Sequence, residues 1–132
     1  MNKIERFEDI IAWQKARELT RQVYGCSKVG EFARDFGLRD QIQRASVSTM
    51  ANIAEGFERG GDKEFIQFLS HSKGSSGEVK SHLYVAMDQH YVTDQQFKQL
   101  YDQADEVSRL VAGFMGYLQQ SEVRGHKFKR PN

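Results

Sequence analysis

Gln41, Arg44, Ser48, Asn52, Glu55 and Arg59 follow one another at intervals of three, four, four, three and four residues. On a helix those steps gather all six side chains into a wedge of roughly 80°. Arg44, Asn52 and Glu55 together can donate and accept within one hydrogen-bonded network. A solvated face joined by ordinary one-turn contacts produces the same pattern and is the more frequent case. The functional alternative is a recognition strip for a partner or for phosphate. His71, Ser75, Glu78 and His82 form a second constellation, on one face of another helical stretch. His and Glu at this spacing can hold a metal when a facing helix adds ligands. No other segment supplies a Glu-x-x-His or a histidine cluster, and a metal usually takes three or four protein ligands, so no metal site is expected.

Nucleophilic and phosphate-binding motifs are missing from the sequence. It contains no Gly-x-Ser-x-Gly and no Walker pattern. Ser46, Ser48, Ser72, Ser75 and Ser76 suit small packing positions or hydroxyls bonded back to helix carbonyls. Cys26 is the only cysteine, so it can form neither an internal disulfide nor a thiolate metal site by itself. No catalytic residue and no cofactor is expected. A last cluster lies in the final residues, where Arg124, Lys127, Lys129 and Arg130 surround Phe128. Cations with an aromatic suit backbone contact and stacking on a nucleic acid; a solubilising terminus has the same composition.

Helices must position all of these residues except the terminal cluster. Pro131 is the only proline, so nothing in the body of the chain breaks a helix for want of a backbone N–H. The spacing predicts a first helix over residues 8–28, with Ala12, Ala16, Leu19, Val23 and Cys26 on one face. The stretch from Gly25 to Arg34 reads as a connection. A second helix is predicted over residues 35–59, with Leu38, Ile42, Ala45, Thr49, Ile53 and Gly56 along its core stripe. Phe36, Val47, Met50, Ala54 and Phe57 make a further stripe, roughly opposite, that one bundle need not bury. This stripe is the expected oligomer interface.

Gly60-Gly61 should end the second helix, and Asp62 should cap a third over residues 62–90. Phe65, Leu69, Ser72, Ser76, Val79, Leu83 and Ala86 form its seam. Gly74 and Gly77 each cost about 1 kcal/mol relative to alanine inside a helix; close approach of another helix is the simplest reason for them. The fourth helix opens with the capping-box sequence Thr93-Asp94-Gln95-Gln96 and carries Phe97, Leu100, Ala104, Val107, Val111, Phe114 and Leu118 on one face. Periodicity stops near Ser121. The organisation is therefore one bundle over residues 1–121 and a basic C-terminal tail over 122–132. Long helices with short links imply an all-α, antiparallel up-and-down four-helix bundle.

Composition narrows the function classes. Nineteen basic residues against 18 acidic ones give a formal charge of +1, unlike the strong positive balance of a general nucleic-acid coat. No stretch approaches the roughly 20 apolar residues of a membrane span, and residues 1–9 have no apolar signal-peptide core. The expected location is cytoplasmic, with no membrane partner.

Trp13-Gln14-Lys15-Ala16, Phe36-Gly37-Leu38, Gln41-Ile42-Gln43-Arg44-Ala45, Asn52-Ile53-Ala54-Glu55-Gly56, and Gly74-Ser75 with Glu78 occur in this order. From about Phe7 to Leu118 the chain resembles the four-helix-bundle family of 23S rRNA intervening-sequence proteins. That resemblance implies an antiparallel bundle assembling as a ring-like homopentamer. The accessory variability determinants of diversity-generating retroelements are similar in fold, and bind a reverse transcriptase and nucleic acid. The family's signature positions fall here on Arg44, Asn52, Glu55, Gly56, Gly74, Ser75 and Glu78. Glu31, Arg34 and Met50 depart from it, standing where relatives often carry proline or glutamate.

The resulting expectation is a non-enzymatic homo-oligomeric scaffold, a pentamer by resemblance, that binds RNA, other nucleic acid or a nucleic-acid-processing enzyme. Its expected contacts are Arg44, Asn52, Glu55 and Arg59 with the tail residues Arg124, Lys127, Lys129 and Arg130. The competing classes are a protein-interaction module without nucleic-acid affinity, and an enzyme using Arg44/Asn52/Glu55 or His71/Glu78/His82.

Overall fold

In the computed structural model, which describes residues 3–123, the first long helix is α1, Ile11–Ser27. It starts three residues later than its periodicity suggests, because Phe7–Asp9 form a separate 3-10 turn. The Asp9 carboxylate holds that turn by accepting from the backbone N–H groups of Glu5 and Arg6, at 3.0 and 3.2 Å. The stretch after Gly25 is not the plain connection its two glycines suggest. α1 continues through Gly25, and a five-residue helix α2, Gly30–Arg34, follows. One side chain anchors it: Phe32 is fully buried and stacks on Tyr91 with centroids 5.3 Å apart.

Asp35 ends that corner and starts α3, Phe36–Arg59. Its Oδ1 accepts from the Leu38 N–H at 3.2 Å, satisfying a first-turn donor, while its Oδ2 accepts from the Tyr91 hydroxyl at 3.0 Å. This hydrogen bond, with partial burial second, raises the Tyr91 phenol above its ordinary value of 10.0. The bond needs the protonated phenol, so its contribution is present at neutral pH and lost as pH rises through the raised value. Asp35→Ala removes both bonds. Thermal melts should show a loss of about 1–2 kcal/mol, the usual range for a helix cap, and Asp35→Asn should restore most of it.

Gly60, at φ 89°, closes α3 in the left-handed conformation. α4 spans Asp62–Asp88, and Gly61 occupies its cap position without a side-chain bond. Asp62 is therefore not the cap but the first helical residue, where its charge suits the helix dipole. α5 spans Asp94–Val123, running past the point where the apolar seam ends. Its expected capping box is present: Thr93 N–H donates to Gln96 Oε1 at 2.9 Å, and Gln96 N–H to Thr93 Oγ1 at 3.1 Å.

α1 packs on α3, α3 on α4, α4 on α5 and α5 on α1, closing a four-helix bundle. Its core holds the predicted seams, including Ala16, Leu19, Ile42, Ile53, Leu69 and Val107. Hydroxyls fill the narrow middle. Ser72 donates to the Thr49 carbonyl at 2.7 Å, Ser76 bonds Ser108, and Thr20 donates to the Ser46 carbonyl at 3.0 Å. These bonds satisfy groups that would otherwise be costly to bury.

The glycines take a different role from the expected one. A Cβ added at Gly74 or Gly77 meets nothing within 4 Å, since both lie away from the seam, and the inward positions belong to Ser72 and Ser76. The close approach is at Gly56 instead, where a Cβ would sit 2.8 Å from Phe68 Cβ and 2.9 Å from Phe65 Cδ1.

Candidate functional site

The two polar constellations of the sequence meet along the groove between α3 and α4. Ser48 and Ser75 hydrogen-bond through their hydroxyls at 2.9 Å. That bond fixes the level of one antiparallel helix against the other. One turn from Ser48, Arg44 then lies level with Glu78 across the groove. One turn the other way, Asn52 lies level with His71. The result is a single polar seam instead of two separate faces.

Along the seam the side chains divide into two groups. Asn52 Nδ2 donates to the Ser48 carbonyl at 2.8 Å and to Ser48 Oγ at 3.0 Å. Asn52 thus joins the serine pair. Glu55 is engaged elsewhere: its Oε2 accepts from Arg59 at 2.9 Å. Arg59 also lies 5.0 Å over the Phe68 ring and 3.7 Å from Glu64. Its guanidinium is held more firmly protonated, first by the Glu55 hydrogen bond and then by that charge. Arg44 is exposed and has no hydrogen-bond or ion-pair partner among the described residues. The expected single network of Arg44, Asn52 and Glu55 is therefore not formed, because helix spacing gives Asn52 to Ser48 and Glu55 to Arg59.

The other expected residues fall as follows. Among the described residues no three of His, Cys, Asp or Glu come together as a metal site, and His71 makes an edge contact with Phe68. Burial pushes the Cys26 thiol up, which disfavours the reactive thiolate. Of the outer stripe on α3, Phe36 is 64% exposed and Val47 40%; Met50 and Ala54 are half-buried. Phe57 is not available to a neighbour. It is only 8% exposed and packs edge-on against Phe65 at 6.2 Å, because its angular position borders the core stripe. Arg124, Lys127, Lys129 and Arg130 lie outside the described residues.

The family model for 23S rRNA-intervening sequence proteins matches residues 8–113. The chain belongs to this family. The crystal structure of a protein of unknown function from the S23 ribosomal protein family of Bacteroides thetaiotaomicron has a TM-score of 0.72 and 20% identity, covering 79% of this chain and 97% of that one. At that identity the likeness shows a shared fold. No curated protein matches the chain.

In this chain the Asn52–Gly56 segment serves two neighbours at once. Gly56 seats α3 on the rings of α4, while Asn52 joins the serine pair and Glu55 pairs with Arg59. Sequence reasoning missed a second feature, a cleft at the α2 end of the bundle. It is lined by residues of α1, α2, the α4–α5 turn and α5. The only signal for it was a histidine placed where a helix must stop, and that becomes informative only once the backbone angle of His90 is known.

Proposed function

We propose that this protein is a non-enzymatic helical scaffold. It assembles with copies of itself, as a pentamer by preference, and binds RNA or a nucleic-acid-processing protein. The observation that carries the assembly half is the exposure of Phe36 and Val47 on one flank of α3, beside a well-filled core. The RNA half draws on the family name, on the unpaired Arg44, and on the four tail cations Arg124, Lys127, Lys129 and Arg130. The non-enzymatic half draws on the seam, where the Ser48 and Ser75 hydroxyls bond each other and the Asn52 amide donates to the Ser48 hydroxyl and carbonyl. In an assembly the tails of several copies act together, and linked weak contacts gain avidity of about a hundredfold or more.

A salt titration of RNA binding tests this. The full chain should lose affinity steeply with salt, and removal of Arg124–Asn132 should weaken binding. It should also flatten the logarithmic slope by about 0.7 for each single-strand phosphate contact removed. Equal binding by both forms moves the contact to Arg44. If neither form binds at low salt, the protein-interaction reading replaces this one. That second reading is favoured by the formal charge of only +1 and by the pairing of Arg59 with Glu55.

A further inference from the structure

His90 is the only described residue other than glycine with positive φ, at 61°. It stands just past α4, where the backbone closes the helix: His90 N–H donates to the Met87 carbonyl at 3.0 Å, and Tyr91 N–H to the Ala86 carbonyl at 2.8 Å. Glycine fills such a position with less strain. A histidine there, instead of glycine, places an imidazole where the backbone alone has no use for one.

That imidazole borders the cleft, whose volume is about 380 Å³. Phe32 and Leu100 provide apolar lining, and Tyr91 is pinned beside them by Phe32 and Asp35. Gln22, Gln96 and Gln99 contribute three amides to the polar lining. Gln22 uses its Nε2 on Glu18, and Gln96 uses its Oε1 on Thr93; their other amide atoms, and all of Gln99, carry no protein hydrogen bond. The exposed His90 ring likewise has no hydrogen-bond partner among the described residues. Glu31 is the sole carboxylate in the lining, and no lysine or arginine joins it. Such a cleft suits a planar, uncharged ligand with both donors and acceptors on its edge, and it disfavours a phosphate. Phosphate contacts have a separate source nearby: Lys28 and Arg34 are exposed, lack ion-pair partners among the described residues, and flank the lining segment Val29–Phe32 in the chain.

We propose that this cleft binds one unpaired nucleobase of an RNA strand. The His90 ring offers a stacking surface, Gln96 and Gln99 read the base edge, and Lys28 and Arg34 meet the flanking phosphates. The inference rests on the RNA reading above, and it locates a base-binding site far from the tail in sequence.

His90→Gly tests it without threatening the fold, since the backbone angle favours glycine. The full chain, His90→Gly and Gln99→Ala are titrated with a single-stranded oligoribonucleotide carrying 2-aminopurine, and separately with the four free nucleosides in ligand-observed NMR. The wild-type chain should change the 2-aminopurine fluorescence. Each variant should bind about tenfold more weakly, the scale of a lost base-stacking contact, and His90→Gly should melt no lower than wild type. Strand binding with wild-type affinity in both variants overturns the cleft and leaves the RNA reading standing. Nucleoside binding that His90→Gly weakens, with no strand bound, upholds a base site in the cleft and removes the RNA reading. Absence of both overturns both.

Discussion

Gly56→Val should destabilise the bundle by about 3 kcal/mol, the upper part of the range for overpacking a filled interior. Even the first added carbon lands 2.8 Å from Phe68 Cβ and 2.9 Å from Phe65 Cδ1. Phe68 Cβ sits next to the backbone of α4, so it cannot rotate away. Phe65 is itself buried between Phe57 and Phe114, with centroids 6.2 and 5.2 Å away. Relief must therefore come from separating α3 and α4. Thermal melts should fall on the order of 10 °C. Gly74→Ala, where the new carbon meets nothing within 4 Å, should gain up to about 1 kcal/mol through helix propensity. A Gly56→Val protein that melts with wild type would mean the two rings yield freely, and the tight seating of α3 on α4 would be wrong.

The second large effect concerns assembly. Val47→Lys should convert the proposed homo-oligomer to monomer at micromolar concentration while leaving the helical content unchanged. Val47 is 40% exposed on the same flank as Phe36. A lysine there is harmless in water but becomes an unpaired charge if a neighbour covers it, a penalty of several kcal/mol. Met50 is a less clean position, because it packs on its own core and lines a groove with Trp13, Thr20 and Arg17 of α1. Changing it perturbs fold and assembly together. Sedimentation velocity reads the result. An unchanged oligomer would move the interface away from this flank, and a wild-type monomer would remove the assembly half of the proposed function.

The long helices were legible because each repeats its apolar positions over many turns, and because Thr93 and Gln96 spell out a cap whose bonds depend only on local sequence. α2 was not legible. Five residues contain too little periodicity, and its one anchor, Phe32, finds its partner Tyr91 at the far side of two helices. Gly74 and Gly77 misled for a related reason: a costly glycine signals that something is near, without saying on which side. The polar positions of the candidate site were readable one helix at a time. Their junction through Ser48 and Ser75 depends on the level at which α3 meets α4, which no single-helix pattern contains. Phe57 sat on the border between two stripes, where a small angular error moves a side chain from the surface into the core.

The hydroxyls in the middle of the bundle have a mechanical consequence. A slide of α4 by one turn, about 5.4 Å, would part Ser72 from the Thr49 carbonyl, Ser75 from Ser48 and Ser76 from Ser108 together. Two of the three cross to α3 and one to α5, so no single interface can give way alone. Ratcheting of one helix past another is therefore opposed from two sides, and a load applied at one end of the bundle passes to the other as movement of the whole body. In the proposed assembly each copy would then act as a stiff stave that keeps its own shape.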